Sequence, residues 1–229
     1  MSTFDFSVVG TAWPFLLKGL WFSIELTSVA FAGGLALGCA LAIIRHMNLP
    51  VAAQIVAAYV TLMRSIPLIL VLFWFFFLVP LVLAPMSGSG RPVPVGPIAT
   101  AFVTFTLFEA AYYAEIIRAG LISIHPGQYD AAKALGLSRW KTYRLVILPQ
   151  VLRTVSPIIL TQTIILFQDT SLVYVLSVTD LLGAASKIAQ RDGRLVEMYL
   201  TVAAIYLAIC FALSQLVAWF NARTAVPGH

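Results

Sequence analysis

Residues 130–150 read DAAKALGLSRWKTYRLVILPQ, a polar and basic stretch with helical character in a chain that is otherwise apolar. It opens on Asp130-Ala131-Ala132, sets Gly136 after three intervening residues, and closes on Val146-Ile147-Leu148-Pro149. A short helix is expected from Tyr129 to Leu135, with Asp130 near its start, where the helix dipole favours negative charge. Gly136 stops it by offering a left-handed residue, and Ser138 can cap a second helix running through Arg144 or beyond. Tyr129, Ala132 and Leu135 to Leu137 supply a small apolar knob. Such a segment can dock in the groove of a partner outside the membrane, or lie on the membrane surface as an amphipathic helix. Its residues alone leave both open.

The surrounding chain fixes the class. Of 229 residues, 61% are hydrophobic and 10% charged, and mean hydropathy is +0.96. Soluble domains carry about 25% charged residues, so a water-covered surface is out of reach and an integral membrane protein is expected. The net charge of +5 is scattered, with no dense basic run; it reports orientation rather than nucleic-acid binding. Cys39 and Cys210 lie far apart in apolar segments without CxxC spacing, which reads as core rather than disulfide or metal site. His46 and His125 sit at helix ends with no metal-ligand constellation around them. Residues 1–12 lack the basic start of a cleaved signal peptide, so the first span is expected to serve as signal and stay.

Five spans are expected, at about 13–44, 51–83, 98–124, 153–179 and 197–220, in one transmembrane domain covering 1–229. Gly34 and Gly38, one turn apart in the first, permit close approach of another helix. Val51–Leu83 reads as one element broken or kinked at Pro67, with two separate spans as the alternative. Residues 84–97 are rich in Gly, Ser and Pro and read as a loop. Residues 180–196 read as a polar loop. Arg45, Lys133, Arg139, Lys141, Arg144, Arg153 and Arg223 fall on one side of the membrane. Lys18, Arg91, Lys187, Arg191 and Arg194 fall on the other. That bias makes the first side cytoplasmic, with the N-terminus outside, the C-terminus inside and the 125–150 loop in the cytoplasm.

Several polar residues lie within the spans. Glu109 is in the third, and Gln168-Asp169-Thr170-Ser171 interrupts the fourth. An acid at the bilayer centre costs about 2.5–3.5 kcal/mol on insertion scales, so Asp169 is expected to face the bundle or a cavity. These residues and Arg64 beside Pro67 can line a substrate path or form a buried network that locks helices together. Glu115 and Arg118, three residues apart, read as a structural pair near the cytoplasmic interface. The aromatic run Trp74-Phe75-Phe76-Phe77 reads as core or lipid-facing, and Gln190-Arg191-Asp192-Gly193 as an outer turn or a partner contact.

The pattern Asp130-Ala131-Ala132-x3-Gly136-x9-Val146-x-Leu148-Pro149 resembles the EAA loop of bacterial ABC importer permeases. Asp130 stands where that family usually has Glu, and Val146 where it has Ile. Arg64-Ser65-Ile66-Pro67, residues 108–120 and Phe167-Gln168-Asp169-Thr170-Ser171-Leu172 are similar to stretches of its polar amino-acid branch. The resemblance covers nearly the whole chain. It implies an all-α integral membrane protein of five transmembrane helices in the MetI-like fold, in a bacterial inner membrane. It also implies two ATP-binding subunits, a second permease subunit (a different homologous chain is favoured) and an extracytoplasmic amino-acid-binding protein. The EAA loop would act as coupling helix, with Asp130, Ala131, Ala132, Gly136, Leu148 and Pro149 at the ATPase. Arg64, Glu109, Gln168, Asp169, Thr170 and Ser171 are the candidate path residues.

The substrate implied is a polar amino acid, glutamate/aspartate by overall similarity, with glutamine or another polar amino acid second. The chain contains no GxxxxGK[ST] phosphate loop, so hydrolysis is expected on the partner, which would hold ATP and magnesium, with no cofactor on this chain. Two other classes are weighed against the importer. An ATP-independent secondary transporter lacks its usual inverted repeat here, and a membrane enzyme lacks a metal cluster or nucleophile signature.

Overall fold

The computed structural model describes residues 5–47, 49–87, 91 and 95–224, and every regular element among them is helical. Helix α1 runs Ser7–His46, α2 Pro50–Ser65 and α3 Leu68–Phe73. A π-helical turn, Trp74–Leu78, leads into α4, Val79–Leu83. Then come α5, Pro97–Ile122; α6, Gly127–Ala134; and α7, Arg139–Thr142. A second π turn, Tyr143–Ile147, joins α7 to α8, Leu148–Asp169, which tightens into a 3-10 segment, Thr170–Leu176. Helix α9 is Leu181–Asp192 and α10 Leu195–Thr224.

Three stretches, Ser7–His46, Arg139–Leu176 and Leu195–Arg223, are each long and apolar enough to cross a bilayer. Pro50–Ser65 and Leu68–Leu83 make a fourth only when taken together, because they bend by 110° where they meet. The cause is local: Pro67 pushes Ile66 into an extended conformation (φ −117°, ψ 136°), which no helix can continue through. The break expected at Pro67 is therefore there, and it turns the chain sharply rather than kinking it. Helix α5 has 26 residues, long enough to span, but is diluted by Glu109, Glu115 and Arg118.

Close packing centres on α1 and α5, which contact each other more extensively than any other pair. Small residues make this possible. A Cβ on Gly38 would lie 2.8 Å from the Cβ of Tyr113, and one on Gly34 3.0 Å from that of Glu109. The approach expected of Gly34 and Gly38 is thus used against α5. Phe105, Leu72, Leu26 and Leu166 are fully buried in the core beside this seam. Outward, by contrast, Trp21, Val82, Leu207 and Phe211 are well exposed. Large apolar side chains on the outside suit lipid or partner subunits.

Two expectations change. The fourth span was expected to begin at residue 153, but the helix starts at Arg139 and runs through both π turn and Pro149 to Leu176. Pro149 lacks the N–H that would bond one turn back, and the π turn just before it absorbs that lost bond without breaking the rod. The same pairing of π turn and proline recurs at Trp74–Leu78 and Pro80.

The second change is the expected polar loop at 180–196, which is largely the helix α9. Asp180 caps it: its carboxylate accepts from Leu182 N at 3.0 Å and Gly183 N at 2.9 Å. Leu181, Ala184, Ala185 and Ile188 are buried at helical spacing against α1 and α10. Gly193 (φ +68°) ends it, with Arg194 N donating to Ala189 O at 3.1 Å. Asp180 itself has no exposure. Burial pushes its carboxyl up to about 6, against the two backbone donors, which pull it down. The expected loop at 84–97 falls partly outside the described residues.

Candidate functional site

The bend at Pro67 brings the end of α2 and the start of α3 against the middle of α5 and the end of α8. A cleft of about 380 Å³ opens there, lined by Arg64, Ser65, Ile66, Pro67, Tyr112, Asp169 and Leu172, among others. The Arg64 guanidinium stands over the Tyr112 ring, 5.4 Å from its centroid, a cation–π geometry. One cationic and one anionic side chain thus line the same cleft as a phenol. A zwitterion has both matching charges, so the arrangement can hold a carboxylate and an ammonium at once.

The expected path residues separate into groups. Arg64 and Asp169 line the cleft. Ser171 is half-buried beside it in sequence, and Gln168 is exposed without lining it. Thr170 is fully buried, its hydroxyl donating to Phe167 O at 2.7 Å; it closes the helix end. Glu109 is only 1% exposed. Its carboxylate accepts from Gln162 Nε2 at 3.2 and 3.4 Å, tying α5 to α8. Tyr113 bridges onward to Thr163 at 3.3 Å. Glu109 therefore belongs to a buried lock between helices. Tyr112 was missed, because an aromatic inside an apolar span carries no signal of its own until Arg64 is placed above it.

The second candidate surface is the 125–150 loop. Helix α6, Gly127–Ala134, begins two residues before the expected segment and ends one before it, with Leu135 as its C-cap. Its C-terminus is a Schellman motif. Leu137 N donates to Ala132 O at 3.0 Å, Gly136 N to Lys133 O at 3.0 Å, and Gly136 has φ +71°. Ser138 caps α7, its Oγ accepting from Lys141 N at 3.4 Å.

Asp130, Ala131 and Gly136 are exposed, and so are Leu148 and Pro149 at the head of α8. Ala132 differs: it is 2% exposed on a helix that packs back on α7 and its π turn. Its side chain faces this chain, so of the expected apolar knob the protruding member is Leu135, 79% exposed. Tyr129 stacks edge-on against Tyr143, centroids 5.9 Å apart. That contact fastens α6 to the rod that leads to Asp169.

At the same end of the bundle, the expected Glu115–Arg118 pair is present and gains a third member. Arg45 Nη1 donates to Glu115 Oε2 at 2.6 Å, and Arg118 donates to both carboxylate oxygens, its Nε at 3.1 Å from each. Among the described residues no group of three or more His, Cys, Asp or Glu is arranged to hold a metal.

Residues 11–226 match the family model described as binding-protein-dependent transport system inner membrane component. The chain belongs to this family. It is 45% identical over 225 residues to the glutamate/aspartate import permease protein GltK of Escherichia coli O157:H7, covering 98% of this chain and 100% of that one. It is 31% identical over 223 residues to the glutamine transport system permease protein GlnP of Escherichia coli K12, covering 97% and 99%. A crystal structure of an amino acid ABC transporter superposes with a TM-score of 0.87 at 26% identity, covering 97% of this chain and 100% of that one. The all-helical MetI-like permease architecture and the inner-membrane setting are thereby those of this chain.

Proposed function

We propose that this chain is the non-catalytic transmembrane subunit of an ATP-driven importer and forms part of the path for glutamate/aspartate. The observation that carries it is the charged cleft: Arg64 and Asp169, far apart in sequence, both line it, with the Arg64 guanidinium over the Tyr112 ring. An amino acid presents a carboxylate to the first and an ammonium to the second, and Arg can take a carboxylate bidentately. The end-to-end likeness to GltK supports the dicarboxylic substrate over glutamine.

In this reading two ATP-binding subunits hold ATP and magnesium and dock on the exposed Asp130, Ala131 and Gly136, with Leu148 and Pro149 alongside. A second permease chain, different from this one, completes the path, and a loaded binding protein docks on the opposite face. The N-terminus is outside and the 125–150 loop cytoplasmic. Nucleotide-driven closure of the ATPases and the loaded binding protein each favour one of two bundle states, and only that differential binding can drive the change.

The test is reconstitution of the chain with its ATPase, partner permease and binding protein, followed by uptake of labelled glutamate, aspartate, glutamine and arginine with and without ATP. ATP-dependent glutamate and aspartate uptake that needs every component is expected. Uptake of glutamine alone would overturn the substrate. Uptake from the assembled complex without ATP would overturn the importer in favour of a secondary transporter.

A further inference from the structure

At the α6 end of the bundle, the C-terminus of α1, the start of α2 and the end of α5 enclose a cleft of about 640 Å³. Its walls are Arg45, His46, Gln54 and Arg118, with Pro50, Ala53, Ala57 and Ile122 supplying an apolar flank. Glu115 bonds both arginines, so two guanidinium groups share a single carboxylate and the cluster keeps a net positive charge. Each guanidinium has five N–H donors, more than one carboxylate can accept. Both arginines are partly buried, at 19% and 30% side-chain exposure, so their positions are held by the fold rather than by solvent. Helix α2 adds to the field: it opens at Pro50 with no side-chain cap and no acid in its first turn, leaving its positive end uncompensated.

We infer that this cleft binds the phosphate of an anionic phospholipid headgroup. The arginines offer charge-assisted donors to phosphate oxygens, the Gln54 amide a neutral one, and the apolar flank a surface for the glycerol and first acyl carbons. Its place fits: the cleft lies where α1 and α5 end and α2 begins, the level at which basic pockets between helices meet lipid headgroups. The inference rests on the inner-membrane setting and not on the substrate, so it survives or fails independently of what is transported.

The experiment is native mass spectrometry of the assembled complex in detergent, with phosphatidylglycerol, phosphatidylcholine or inorganic phosphate added. The variant is Gln54→Glu, which puts a negative charge in the cleft while leaving the Arg45–Glu115–Arg118 cluster intact. Gln54→Leu controls for loss of the amide alone. Preferential retention of phosphatidylglycerol by the wild type, reduced about fivefold by Gln54→Glu, as expected for one added charge near a headgroup, and much less by Gln54→Leu, supports the site. Equal retention of the two lipids, or phosphatidylglycerol retention unchanged in Gln54→Glu, overturns it. Inorganic phosphate displacing phosphatidylglycerol at equal concentration would also overturn it, by assigning the cleft to a small anion.

Discussion

Gly136 separates two reasons for a glycine in a docking loop. It sits at φ +71° as the left-handed residue of the Schellman motif that ends α6. A Cβ built on it meets nothing within 4 Å in this chain. An L-residue there therefore suffers only the backbone cost, about 1–2 kcal/mol, and no clash within this chain. Asn tolerates the left-handed region far better than a β-branched residue. If the glycine is there for its φ, Gly136→Asn should keep the loop and its function. Gly136→Val should then shift the loop's folded-to-unfolded ratio by roughly 5–30-fold and lower ATP-dependent uptake. The assay is uptake by reconstituted complexes, with ATPase association checked by co-purification. Equal loss of uptake in both variants, with association intact in neither, would refute the backbone argument. It would mean that the docking groove of the ATPase has no room for a Cβ.

Asp169→Asn and Arg64→Gln should each reduce uptake at least tenfold while leaving complex assembly unchanged; normal uptake by either would remove that residue from the substrate path. Gly38→Leu drives a side chain into the Cβ of Tyr113, 2.8 Å from the added Cβ position; overpacking of this kind costs about 1–3 kcal/mol or more. The thermal midpoint of that complex should fall by several degrees, and an unchanged midpoint would mean that α1 and α5 are not in contact. Asp180 has a folded carboxyl raised to about 6 from an ordinary value of 3.8. A raised carboxyl contributes stability that is fully present below the ordinary value and is lost as pH rises through about 6. The wild-type midpoint, measured relative to Asp180→Asn, should therefore rise as pH falls from 7 to 5; a difference that is flat across that range would contradict the buried carboxyl.

The membrane class, the break at Pro67, the Gly34–Gly38 seam and the Gly136 stop were all legible because each depends on local chemistry. Charge density, a missing N–H, a missing Cβ and a left-handed residue act within a turn or two of where they are written. What could not be read depends on which faces meet. Thr170 and Asp169 are neighbours in sequence, yet one closes a helix end and the other lines a cleft. Glu109 looks like a path acid until Gln162 is found across from it on α8. Ala132 lies in a loop that reads as a docking surface, but faces inward because α6 folds back on α7. Helix α9 was hidden by polar residues such as Lys187, Gln190 and Arg191, although Leu181, Ala184, Ala185 and Ile188 carry a helical stripe within them.

The unbroken helix from Arg139 to Leu176 gives the two candidate sites a physical connection. At 1.5 Å per residue its 38 residues span about 57 Å. Helix α6 rests on one end, through Tyr129 and Tyr143, and Asp169 lies near the other, in the cleft with Arg64. A helix resists bending and stretching, so force applied to α6 by a closing ATPase would arrive at the cleft as a tilt or shift of this rod. The opposite wall of the cleft hangs on the separate segment bent at Pro67, so moving the rod changes the distance between Asp169 and Arg64. In the proposed importer that distance is what alternates, and the substrate's two charges are bridged in one state only. Cross-linking cysteines placed at Ser65 and Leu172, both on that cleft, should trap the closed wall. A cross-link equally efficient with and without ATP would show that the rod does not move with the nucleotide cycle.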